Sequence, residues 1–180
     1  DIGTIRAFYE ANLSLVEERP PFEFGLPEAP IYTRPRFLPP SRVQGAMVTD
    51  SLIADGCSIA RGAEIVRSII GPGTKIGERA VIRDSIIFGS DTRYEDSGQC
   101  LPPPRPAEIP IGIGDQSVIQ GAIVDRNARI GENVHVVNSR GLNHSDERDD
   151  CMIRDGIPVV LRNAVLRDGW SGECLRGPEL

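Results

Sequence analysis

Residues 48–87 read VTDSLIADGCSIARGAEIVRSIIGPGTKIGERAVIRDSII. A branched aliphatic recurs along them: Val48, Ile53, Ile59, Ile65, Ile70, Ile76, Ile82 and Ile87, five or six residues apart. Three consecutive steps span 17 residues, and after 17 residues like returns to like. Asp50-Ser51-Leu52-Ile53 is followed by Arg67-Ser68-Ile69-Ile70 and then by Asp84-Ser85-Ile86-Ile87. An amphipathic helix repeats every 3.6 residues and a half-buried strand every second one, so neither has this period. Strands of two or three residues, each sending one side chain inward, do have it.

The expected fold is therefore all-β: a left-handed parallel β-helix, the triangular solenoid of hexapeptide repeats, with an N-terminal α-helix and a proline-rich linker. Solenoids of this kind are usually left-handed, an exception to the right-handed rule for parallel crossovers. A second block, Ile119, Val124, Ile130 and Val136, repeats the spacing, and Ile130-Gly131-Glu132 echoes Ile76-Gly77-Glu78. Two matching blocks weigh against an antiparallel sandwich whose spacing arose by chance. Composition agrees. The chain has 180 residues with 19 glycines, 15 prolines and only 5% aromatics. Glycine serves the corners, where positive φ is needed, and a narrow prism has room for Ile and Val but few rings.

Working outward, residues 4–18 carry Ile5, Phe8, Tyr9, Leu13 and Val16 on one helical stripe, with Thr4 placed to cap it. The expected divisions are a helix at 1–18, a proline-rich linker at 19–41, a β-helix at 42–169 and a tail at 170–180. Within the β-helix, residues 88–110 and 138–152 are expected to loop out, and residues 157–169 to supply a final coil. No apolar run approaches the roughly 18 residues of a membrane span, and no signal peptide precedes Asp1. The net charge of −6 argues against nucleic acid as a partner.

The chemistry-bearing residues are few. Cys57, Cys100, Cys151 and Cys174 lie far apart with no C-x-x-C pair, which argues against zinc and leaves reduced thiols as the default. His135 and His144 are the only histidines, so a three-histidine metal site cannot form within one protomer. His135 adjoins the inward Val136 and should point outward, while His144 sits in an acidic loop.

The arginines show more pattern. Lys75 is the only lysine among 20 basic residues. Arg34 and Arg36 alternate in the extended linker, where residues two apart share a side and two guanidinium forks can grip one anion. Arg126-Asn127-Ala128 recurs as Arg162-Asn163-Ala164, 36 residues on. Less the second loop, that gap is close to one coil, which would stack two like charges about 5 Å apart. Such a pair either points into water or holds an anion between its members. Asp1 is either a helix cap or a metal ligand belonging to an upstream domain.

The ordered motifs Asp1-Ile2-Gly3-Thr4-Ile5, Tyr32-Thr33-Arg34-Pro35-Arg36-Phe37-Leu38-Pro39-Pro40-Ser41, Pro110-Ile111-Gly112-Ile113-Gly114, Val124-Asp125-Arg126-Asn127-Ala128-Arg129-Ile130-Gly131 and Arg154-Asp155-Gly156-Ile157 resemble the C-terminal part of the glucose-1-phosphate adenylyltransferases. The plant and cyanobacterial type is nearer than the enteric one. The resemblance implies an enzyme that joins glucose 1-phosphate to ATP, releasing pyrophosphate and ADP-glucose for glycogen or starch synthesis. It implies a preceding nucleotidyltransferase domain, Mg2+ in the full-length enzyme, no cofactor for this chain by itself, and a homotetramer governed by phosphorylated effectors. Without that domain no catalytic residue is expected here, and the chain alone should be inactive. By the same resemblance Asp1 would help to hold the metal only beside that domain, and Arg34, Arg36, Arg126 and Arg162 would bind effector anions. Arginine stands at Arg126 and Arg162 where the plant and cyanobacterial enzymes carry lysine, and the tail does not match the usual ending. A bacterial cytoplasm is expected rather than a plastid. The competing expectation is a stand-alone hexapeptide-repeat acyltransferase or a trimerisation module.

Overall fold

The computed structural model describes residues 3–22, 24, 26–29, 31, 37–90, 108–146 and 149–172. The solenoid starts with β1 (Arg42–Val43), β2 (Met47–Thr49) and β3 (Leu52–Ile53), which together form coil 1. Coil 2 is β4 (Ser58–Ile59), β5 (Glu64–Val66) and β6 (Ile69–Ile70); coil 3 is β7 (Lys75–Ile76), β8 (Val81–Arg83) and β9 (Ile86–Ile87). Coil 4 is β10 (Gly112–Ile113), β11 (Val118–Gln120) and β12 (Ile123–Val124). Coil 5 has β13 (Arg129–Ile130), β14 (His135–Val137) and a hairpin of β15 (Cys151–Arg154) and β16 (Ile157–Val160). Finally β17 (Val165–Leu166) opens coil 6.

Each coil gives one strand to each of three sheets, in the orders β1-β4-β7-β10-β13-β17, β2-β5-β8-β11-β14 and β3-β6-β9-β12-β16-β15. All pairings are parallel except β15 with β16. Register stacks the repeating aliphatics into three columns. The first runs Ile59, Ile76, Ile113, Ile130, Leu166. The second runs Val48, Ile65, Ile82, Ile119, Val136, and the third Ile53, Ile70, Ile87, Val124, Val160. Apart from Val48 at the end coil, the residues of the 17-step series pack in the main core that these columns form.

Polar order supports the corners. Ser51, Ser68 and Ser85 stand 17 residues apart, and each hydroxyl accepts the amide of its counterpart one coil on: Ser68, Ser85 and Ala122. Each also donates to the carbonyl two residues before it. Among the described residues, no buried side-chain nitrogen or oxygen lacks a hydrogen-bond partner. Coils approach so closely at Gly71 that a Cβ there would lie 2.4 Å from the Phe88 carbonyl oxygen.

The N-terminal helix is α1 (Ile5–Leu13), followed by a 3-10 turn at Ser14–Val16. Thr4 caps it, its hydroxyl accepting from the Ala7 amide at 3.1 Å. The apolar stripe lies against the outer face of the third sheet. Leu13, with Ile5, Phe8, Tyr9 and Val16, packs on Ile86, Ile123, Ile157 and Val159, and Phe8 stacks on Phe88 at 5.9 Å. At about 1.5 Å per residue, nine residues span about 13 Å, enough to cross coils 3 to 5.

β15 begins at Cys151 and forms the edge of the third sheet. Cys57 is buried and free, and burial pushes its thiol up. Cys151 is disulfide-bonded and departs from the expected reduced state, which Cys57 keeps. Among the described residues, no helix is long and apolar enough to cross a membrane.

Candidate anion site

One corner of the prism joins the third sheet to the first strand of the next coil. Its backbone rungs are joined by amide-to-carbonyl hydrogen bonds: Gly56 to Pro39, Gly73 to Asp55, Ser90 to Pro72, Asn127 to Gly89 and Asn163 to Arg126. Pro39, Asp55, Pro72, Gly89, Arg126 and Arg162 thus occupy one column. Register on either side agrees, since Ile123 pairs with Val159 and Arg129 with Val165.

Arg126 and Arg162 are therefore one rung apart, about 4.8 Å along the solenoid axis. Each precedes an asparagine in the left-handed region, Asn127 at φ 60° and Asn163 at φ 61°. Asparagine tolerates that conformation better than most residues with a Cβ, which is why the Arg-Asn-Ala triplet suits this corner. Arg126 is half-buried and Arg162 exposed. Both residues already have interactions within the chain. The carboxylate of Asp125 is turned to the backbone, accepting the Arg126 amide at 2.6 Å.

Arg34, Arg36 and Asp1 lie outside the described residues. The linker rejoins them at Phe37, and Pro39 stands four rungs from Arg126, about 19 Å at the parallel spacing. The described part of the linker thus meets the corner column at the end remote from the Arg126–Arg162 pair.

The histidines do not build a site. His135 is exposed on β14, its amide donating to the Trp170 carbonyl. His144 is exposed and lies 3.2 Å from the neighbouring Asn143 side-chain nitrogen. Among the described residues, no group of three or more His, Cys, Asp or Glu converges as a metal ion requires. No step through Mg2+ follows from these residues.

A second constellation, at the start of α1, escaped sequence reasoning. The Asp155 carboxylate accepts from the amides of Ile5 at 3.0 Å and Arg6 at 3.4 Å. The Arg6 guanidinium returns a hydrogen bond to the Asp155 carbonyl. Asp155 and Gly156 form the two-residue turn between β15 and β16, both at positive φ, 53° and 81°. Asp-Gly is the commonest signal of such a turn and announces the hairpin, though not what docks on it. Further along α1, the Tyr9 hydroxyl donates to the Asp84 carbonyl at 2.5 Å. Burial, helped by the Asp84 charge, pushes the Tyr9 phenol up to about 12. Asp84 in turn pairs with Arg67 at 2.8 Å.

The family model of the GLGC left-handed parallel β-helix domain matches residues 36–170, covering all the described coils and the corner with both coil arginines. With three parallel sheets, inward aliphatic columns and this match, the chain belongs to the GLGC left-handed parallel β-helix family, the C-terminal domain of glucose-1-phosphate adenylyltransferase.

Proposed function

We propose that this chain is the regulatory and oligomerisation domain of an enzyme making ADP-glucose and pyrophosphate from ATP and glucose 1-phosphate. The parent enzyme family is a nucleotidyltransferase one. In this reading the catalytic residues and Mg2+ belong to a preceding domain, with Asp1 contributing to the metal only there. The β-helix senses phosphorylated metabolites or inorganic phosphate. Arg126 and Arg162 bind one anion jointly, and Arg34 and Arg36 grip an anion as a second pair in the linker.

The observation that carries the reading is the one-rung offset of Arg126 and Arg162 on a shared corner. Two arginines on adjacent rungs can bring two forked, permanently charged donors to different oxygens of one phosphate group. An oligomer is supported by the open end of coil 1. There Val43, Met47 and Val48 are 48%, 54% and 38% exposed among the described residues, on strands that end their sheets. Uncovered strand edges of this kind tend to be covered in the assembled protein.

Calorimetric titration of inorganic phosphate and 3-phosphoglycerate into wild type, Arg126→Ala and Arg162→Ala tests the anion site. Removing either arginine should weaken binding by about tenfold, the loss of one charge-assisted donor pair. Equal affinities in all three proteins would refute it.

A further inference from the structure

The corner and the helix start are joined by a single strand. β16 runs from Ile157 to Val160, and all four residues are buried. Two residues before it stands Asp155, which holds the first amides of α1. Two residues after it stands Arg162, one rung from Arg126. The strand is held on both flanks, by β12 in parallel and by β15 in antiparallel pairing. Its side chains alternate between two tasks. Ile157 and Val159 pack outward on α1, while Val160 lies in the interior column.

The turn beyond it is also braced. Gly156 donates its amide to the Asn143 carbonyl, and the Asn138 side chain donates to the Gly156 carbonyl. A Cβ on Gly156 would come 2.7 Å from the Arg6 guanidinium, which lies over this turn. Between Arg162 and Asp155 the chain is thus a strand buried over its whole length and paired on both flanks, the kind of element that carries a shift from one end to the other.

We propose that Asp155 is a positioning residue: it transmits occupancy of the Arg126–Arg162 corner through β16 to the N-terminal end of α1. This rests on the effector reading above. Anion binding at the corner tightens the clamp of the Asp155 carboxylate on the Ile5 and Arg6 amides. The segment so steadied is the one directly after Asp1 in sequence.

The test is amide hydrogen exchange on the 180-residue chain, with and without saturating inorganic phosphate, in wild type, Asp155→Gly and Asp155→Asn. Glycine accepts the positive φ of this turn without strain and deletes only the carboxylate. Asparagine keeps an acceptor in a backbone conformation it tolerates. In wild type, phosphate should slow exchange at Ile5 and Arg6 by about threefold or more. D155G should abolish that slowing and, because coupling is reciprocal, weaken phosphate binding by about the same factor of three, and D155N should restore a good part of both. The wild-type arm stands whether or not D155G folds. Phosphate binding that leaves Ile5 and Arg6 unchanged in wild type would overturn the coupling alone, as would slowing that persists in D155G. Failure of wild type to bind phosphate would remove the effector site and the coupling with it.

Discussion

Val48 and Ile82 hold the same place in the repeat, two coils apart in one column, yet Val48 is 38% exposed and Ile82 is at 0%. Nothing in their local sequence separates them; both follow the 17-residue period. The difference is in neighbours. Ile82 has Ile65 on one side and Ile119 on the other, whereas among the described residues Val48 has Ile65 alone. In a solenoid, burial is conferred by the adjoining coils, so an end coil repeats the pattern without the protection.

Substituting both residues with alanine sharpens the contrast most. Ile82→Ala should cost about 2–5 kcal/mol, transfer and cavity terms combined, because rigid coils on both sides limit collapse. Val48→Ala should cost below about 1 kcal/mol, since the site is partly solvated already. Urea denaturation of the two variants measures both, and equal losses would break the comparison.

The serine ladder offers the same contrast with a smaller effect. Ser85 is fully buried and its hydroxyl serves both the Ala122 amide and the Arg83 carbonyl. Ser85→Ala leaves a buried amide without its acceptor, a loss of about 1–3 kcal/mol. Ser51, on the end coil, is half-exposed. There water replaces the lost hydroxyl, and Ser51→Ala should cost less than about 1 kcal/mol in thermal unfolding.

The smallest effect belongs to the seam between α1 and the coils. Tyr9 is raised to about 12 in the fold, against 10.0 ordinarily, so between those values the unfolded chain ionises while the folded one keeps its proton. The folded state then binds more protons, and stability falls as pH rises. The contribution is complete below about pH 10 and disappears as pH climbs toward 12. Tyr9→Phe should flatten this alkaline loss while leaving the coils as protected as before. Circular dichroism melts across that range follow it, and an unchanged profile in Tyr9→Phe would show that the phenol does not govern the seam.

Much of this molecule was legible beforehand, for a definite reason. The steps of five and six residues belong to a coil that closes on itself within 17 residues, so each inward aliphatic is specified by its near neighbours. The Arg126–Arg162 offset could be read too, because both stand in the same triplet at a separation of roughly one coil plus a loop. Asp155 could not. Its partners in α1 are 149 and 150 residues away, and no period links a helix start to a hairpin turn. The Asp-Gly pair tells of a turn between β15 and β16 but carries no information about what rests on it.

The sequence by itself determined the prism: which residues point inward, where serine and glycine sit at its corners, and which arginines share a column. Only the tertiary structure decided that α1 lies along the third sheet from coil 5 to coil 3. It also turned residues 151–160 into a hairpin and left Val48 exposed beneath an open end. The physical reason is range. A short repeat writes its contacts into local spacing, whereas docking and termination depend on which surfaces meet after the coils have closed.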